Sequence, residues 1–168
     1  STISSANIKL SHMSKISKVQ VLQVLDSRGN PTIQVFMYSD DGFMESSIVP
    51  SGASTGTCEA FELRDNNPNQ YHGKSVLAAI SNIESIITPK IINFDLSEQR
   101  KFDELLISLD ETPNKSKLGA NAILACSMAY AKLSAASKQM ALFEYFDLDA
   151  QNFIMPIPMM NLINGGAH

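Results

Sequence analysis

Two cysteines in 168 residues, Cys58 and Cys126, are too few and too widely separated for a disulfide framework. Neither stands in a CxxC or Cys/His spacing, so no zinc site is indicated, and the usage suits the reducing cytoplasm. Long hydrophobic runs are also missing: nothing approaches the roughly 20 apolar residues that cross a bilayer, and no basic segment followed by an apolar one opens the chain. Neither membrane insertion nor classical secretion is therefore expected. A basic excess is absent too. Lys and Arg number 13 against 17 Asp and Glu, a formal net charge of -4, and the cations are scattered rather than gathered into a stripe. That argues against a grip on nucleic acid or on an anionic membrane surface and leaves a small molecule or another protein as the expected partner. The sequence holds no internal repeat and no low-complexity tract.

What is present suffices for a core, since 44% of the chain is hydrophobic and 18% charged, as expected of one compact domain with a tail. Residues 18–25 are β-branched and apolar and run into Asp26-Ser27-Arg28-Gly29-Asn30-Pro31-Thr32, which predicts a strand closed by a turn. Over 32–39, Ile33, Val35 and Met37 alternate with Gln34, Phe36 and Tyr38, the period of a strand with one face more buried than the other. Asp40-Asp41-Gly42 supplies a tight turn, and 43–49 returns as a third strand.

The periodicity then becomes helical. Val76, Ile80, Ile83 and Ile87 line one face of a segment that Pro89 is expected to stop. Phe102, Leu105, Leu106 and Leu109 line a second, with Asp95 and Glu98 spaced as its capping box. The longest helix is predicted over 120–139; it is alanine-rich, with Ile123, Cys126, Tyr130 and Leu133 as its larger stripe, which makes Cys126 a core residue. A short helix over 142–146 closes the unit. Strands first and helices after give an α+β class: a three-stranded antiparallel meander followed by a helical bundle.

Two stretches at the ends stand apart. Residues 1–12 are Ser-rich and aperiodic, stop just before Met13, and are expected to be an expression scar; His12 belongs to them. Residues 155–163 are apolar and led in by Pro156 and Pro158, the composition of a strand covered on both faces. Such a strand needs neighbours on each side, so the chain is expected to contain a cap domain over 14–148 and, over 149–168, a linker and the first strand of a truncated second domain.

The chemistry-bearing candidate is Pro50-Ser51-Gly52-Ala53-Ser54-Thr55-Gly56, with three hydroxyls and two glycines in seven residues. Its small side chains let the backbone fold tightly and approach a ligand. Read on its own it is either a solvated Ser/Gly turn or a lid. Downstream, 59–64 has a helix-like composition, so Glu59, Glu62, Arg64 and Asp65 are read as a partly solvated helix with local ion pairs. Arg28 is read as a buried or interface ion-pair partner that holds the first turn. Lys115 and Lys117 precede a helix start, where capping and solvation are preferred over anion binding. Cys58 borders the hydroxyl-rich stretch and should be reachable by a thiol reagent, His72 sits in a polar loop, and neither cysteine is given a catalytic role.

Five stretches in order carry a resemblance: Asp-Ser-Arg-Gly-Asn-Pro-Thr at 26–32, Pro-Ser-Gly-Ala-Ser-Thr-Gly at 50–56, Glu-Leu-Arg-Asp at 62–65, Asn-Lys-Ser-Lys-Leu-Gly-Ala-Asn-Ala-Ile-Leu-Ala at 114–125, and Asn-Gly-Gly-Ala-His at 164–168. Over nearly all of 14–168 the sequence resembles the amino-terminal part of the enolases, the phosphopyruvate hydratases of glycolysis. The resemblance implies that the second domain begins a (β/α)8-type barrel. It also implies that the complete protein is a lyase converting 2-phosphoglycerate reversibly to phosphoenolpyruvate with Mg²⁺, as a homodimer or higher oligomer.

Carried over by position, the resemblance puts the hydroxyl and carbonyl oxygens of Ser54 on a substrate-bridging magnesium, Ala53 and His168 at the substrate, and Ser51, Gly52, Thr55 and Gly56 in the mobile loop. Gln34 stands where the family's dimer interface usually has an acidic residue. No catalytic set is complete here. The family's base lysine, acid glutamate, main metal carboxylates and phosphate-binding residues fall beyond His168, so this chain is expected to be inactive and to serve as a cap. The alternative is a non-catalytic, protein-binding module of the moonlighting kind, which would add a non-classical surface or secreted pool to the cytoplasmic one.

Overall fold

The alternation over 31–39 becomes the middle strand of a sheet. In the computed structural model, which describes residues 13–51, 56, 58–147 and 152–160, β1 (Ile16–Leu25), β2 (Pro31–Ser39) and β3 (Met44–Ile48) pair antiparallel in the order β1-β2-β3. Val21 faces Val35, which in turn faces Ser47. The register puts Ile33, Val35 and Met37 on one face, all fully buried, as a period of two requires. Gly42, at φ 95°, makes the β2–β3 turn in a backbone region that side chains avoid.

Helices cover that buried face. After a single 3-10 turn at Tyr71–Gly73 come α1 (Leu77–Asn82), a π-wound segment (Ile83–Ile87) and α2 (Thr88–Ile91), followed by α3 (Gln99–Asp110), α4 (Ala120–Ser137) and α5 (Leu142–Phe146). The α4 helix lies on β2 and β3, and its buried Ala122, Ala125 and Ala129 keep it close to the sheet. Ser47 marks the contact, donating its hydroxyl to the Ala125 carbonyl at 2.7 Å in the interior. The larger stripe of α4 meets α3: Phe102 stacks on Tyr130 with ring centroids 4.0 Å apart, and Phe94 stands edge-on to both. The Tyr130 hydroxyl stays satisfied in this apolar setting by donating to the Asp95 carbonyl at 2.6 Å. Cys126 is a core residue, as its pattern indicated, and burial pushes its thiol up to about 12. The meander, the helical bundle and the α+β class all follow the sequence expectation.

Three local expectations do not hold. The segment 59–64 forms no helix, because the polypeptide at 114–121 takes its backbone hydrogen bonds. The Phe61 N–H donates to the Asn114 carbonyl and the Ala120 N–H to the Phe61 carbonyl, both at 2.8 Å. The Asn121 side chain accepts from the Leu63 N–H at 3.1 Å and donates to its carbonyl at 3.0 Å, as a neighbouring strand would. Pro89 does not stop its helix. It falls in the first turn of α2, where a missing N–H is harmless, and the π-winding before it absorbs the change of register.

The capping box is likewise not formed. Asp95 accepts the Ser97 N–H at 2.8 Å in a turn ahead of α3, while the Glu98 N–H goes to the Tyr130 hydroxyl at 3.2 Å. The Glu98 carboxylate pairs with Lys101 instead. The described part of the apolar stretch, 155–160, stands without the neighbours such a strand needs; Ile157 is 90% and Met159 97% exposed, and no strand among the described residues pairs with it. Residues 161–163 lie outside the described part. No helix among the described residues is long and apolar enough to cross a membrane.

Candidate functional site

The hydroxyl-rich stretch leaves the sheet just after β3, and the chain fixes that exit from several sides. Val49 is held on the sheet by its N–H, which donates to the Ile33 carbonyl at 3.0 Å, and by its own carbonyl, which accepts the buried Thr32 hydroxyl at 2.8 Å. Two residues on, Ser51 is clamped by two guanidinium groups. Arg28 Nη2 donates to the Ser51 carbonyl at 2.9 Å, and Arg64 Nη2 to the Ser51 hydroxyl at 3.3 Å.

Each arginine has its own support. The Asp26 carboxylate accepts the N–H groups of Arg28 at 2.9 Å and Asn30 at 2.8 Å, tying the turn that presents Arg28, with Gly29 at φ 75° supplying the reversal. The Asn30 N–H foremost holds the Asp26 carboxyl below its ordinary value; desolvation opposes it, and the Arg28 N–H and the Arg28 and Arg64 guanidinium groups add to the lowering. Arg28 is not buried, with a side chain 46% exposed and 3.8 Å from the Asp26 carboxylate. It holds the exit of β3 as well as its own turn. Arg64 is more enclosed: it pairs with Glu62 at 2.7 Å and donates to the backbone carbonyls of Pro31, at 2.7 Å, and Lys74. One side chain thus ties together β2, the loop exit and the start of the helical half.

Asp65 also differs from its reading as a member of a solvated helix. Its carboxylate accepts the Leu77 and Ala78 N–H groups, both at 2.9 Å, and so caps α1 from outside that helix. On the opposite flank, Gly119 at φ 97° begins α4, and an added Cβ there would lie 2.5 Å from Asn121 Oδ1 and 2.6 Å from Leu63 Cβ. The 112–118 turn is organised by buried Asp110. Burial pushes this carboxyl upward, but hydrogen bonds from the Thr112 hydroxyl and from the Leu118 and Thr112 N–H groups outweigh it, leaving the carboxyl below its ordinary value. Lys117 pairs with Glu111 at 2.7 Å.

Of the residues assigned from the sequence, the structure describes Ser51, half-buried and clamped, and Gly56, exposed, whose carbonyl accepts the Glu59 N–H at 3.3 Å. Gly52, Ala53, Ser54, Thr55 and His168 lie outside the described residues. Among the described residues no three His, Cys, Asp or Glu side chains converge to hold a metal ion, so this part alone does not fit a magnesium cage.

A family model described as "Enolase, N-terminal domain" matches residues 16–146. The chain belongs to the enolase family. Proteins named enolase are similar to it across almost its whole length: one from Methanosarcina acetivorans is 53% identical over 154 residues and one from Malacoplasma penetrans 49% identical over 159, each alignment covering 92% of this chain. A third, from Mycoplasma genitalium, is 46% identical over 169 residues, covering 98%. The chain spans only 35 to 36% of the length of these relatives.

Within this enolase chain, sequence reasoning missed the residues that position the loop rather than those in it. Arg64, Asp65 and Asn121 stood in quoted motifs, yet each acts on a backbone group distant in sequence. The available signal was chemical: an Arg and an Asp in a short polar run, and an Asn in the first turn of an alanine-rich helix, are the side chains that satisfy stray backbone groups.

Proposed function

We propose that this chain is the amino-terminal cap of an enolase that interconverts 2-phosphoglycerate and phosphoenolpyruvate with Mg²⁺ in the cytoplasm as a homodimer or larger oligomer, and that the cap alone does no chemistry. The observation that carries the reading is the clamp on Ser51. Two guanidinium groups, themselves held by Asp26, Glu62 and backbone carbonyls, set the point from which a small, hydroxyl-bearing loop starts. A fixed start lets such a loop close in a reproducible position, which is what a lid over a reacting centre requires.

In this reading Ser54 contributes hydroxyl and carbonyl oxygens to the metal ion, while Ala53 and His168 meet the substrate. A histidine suits the last role because its charge can change near neutral pH. The groups that move protons must stand within hydrogen-bond reach of the substrate, and they are assigned to the remaining two-thirds of an enolase's length. The test follows phosphoenolpyruvate absorbance. This chain with Mg²⁺ should show no turnover, and the full-length protein should lose most of its activity on Ser54→Ala or His168→Ala. Turnover by the chain alone, or wild-type rates in both variants, would overturn the reading.

A further inference from the structure

Behind the Ser51 clamp lies a cleft of about 470 Å³, within the size range of small-molecule sites, lined by Arg28, Asn30, Glu62, Arg64, His72 and Lys74 among others. Two arginines and a lysine face it, and the single carboxylate among the described lining residues, Glu62, is engaged by Arg64 at 2.7 Å. In a chain of net charge -4 this is a local reversal of sign.

The donors divide into spent and available. Arg64 is spent: its two terminal nitrogens serve Pro31, Lys74, Ser51 and Glu62. Arg28, in contrast, uses only one Nη2 proton among the described residues, which leaves the Nε and Nη1 donors and the second Nη2 proton for an oxyanion. Lys74 gives one of its three protons, to Asn30 Oδ1 at 3.0 Å, and that bond holds the ammonium on the side of the cleft where the Arg28 turn lies. The opposite wall is the 66–73 hairpin, closed by the Asn66 N–H on the Gly73 carbonyl at 3.0 Å, which brings His72 to the lining.

We propose that this cleft is a binding site for a phosphate-class oxyanion, free or carried on a small molecule, gripped by the remaining guanidinium donors of Arg28 and the ammonium of Lys74. The site belongs to the described part of the chain and holds whether or not the full-length protein acts on 2-phosphoglycerate. Because Arg28 also carries the Ser51 carbonyl, an occupant shares its guanidinium with the start of the hydroxyl-rich loop.

Titrating the ¹⁵N-labelled 168-residue chain with inorganic phosphate at constant ionic strength, and separately with glycerol phosphate, tests this by NMR. Saturable shifts confined to the Arg28, Asn30, Ser51, His72 and Lys74 amides are expected. Arg28→Gln and Lys74→Gln should each weaken binding about tenfold, the loss of one charged hydrogen-bonding partner. Lys74 is exposed, so its variant keeps the test valid even if the Arg28 variant is destabilised. Tighter binding of the ester assigns the site to a phosphorylated small molecule, and equal or tighter binding of inorganic phosphate assigns it to the free ion. Shifts that do not saturate, or that survive unchanged in the folded Lys74→Gln variant, overturn the proposal.

Discussion

The strand β2 and the stretch 152–160 are both strongly apolar, yet one is the middle of the sheet and the other stands in solvent. Ile33, Val35 and Met37 lose all their exposure because β1 and β3 take the backbone hydrogen bonds on either side while α4 covers the face. Ile154, Met155, Ile157 and Met159 have neither kind of neighbour among the described residues. Apolar composition supplies a driving force of roughly 25 cal/mol per Å² removed from water, but only a surface to pack against and partners for the backbone turn it into structure.

The contrast can be broken most sharply by truncating one apolar side chain in each region. Phe102→Ala, which removes a ring stacked on Tyr130, should cost about 3–5 kcal/mol of unfolding free energy. Met159→Ala should change it by less than about 0.5 kcal/mol. Urea denaturation followed by circular dichroism measures both, and similar losses would mean that the tail is packed.

A smaller effect sharpens the role of backbone partners. Asn121→Ala improves local helix propensity but leaves the N–H and carbonyl of Leu63 without their partner, so a loss of about 1–3 kcal/mol is expected, together with faster amide exchange at Leu63. A gain in stability would show that propensity, rather than this pairing, governs the position.

Acid sensitivity gives the smallest effect. The folded carboxyl of Asp110 lies below its reference value of 3.8, so folding is favoured by its ionised form. Its contribution is complete above that reference value and is lost as the pH falls through the lower folded value. Asp110→Asn should therefore lower stability at neutral pH and flatten its decline in acid, read from denaturation midpoints between pH 7 and 2. A variant with an unchanged acid profile would remove Asp110 from that account.

The elements that were legible beforehand share a local cause. The alternation over 32–39, the Asp-Gly turn at 41–42 and the alanine-rich run after 120 specify strand, turn and helix within a few residues, and each forms where it was expected. The 59–65 run misled because its composition is helix-compatible while its partners, Asn114 and Asn121 for the chain and α1 for Asp65, lie far along the sequence. The same distance hid the Ser51 clamp. Its two arginines were visible as residues, but nothing in their spacing indicates that they converge on one serine.

Side-chain periodicity and turn chemistry are properties of neighbouring residues, so strands, hairpin, longest helix and class could be read from the order of amino acids. Which backbone groups Arg28, Arg64, Asp65 and Asn121 would satisfy depended on chain crossings that exist only once sheet and helices have packed. A buried or tethered polar group takes whichever partner the folded chain brings within about 3 Å, and sequence separation does not enter that choice.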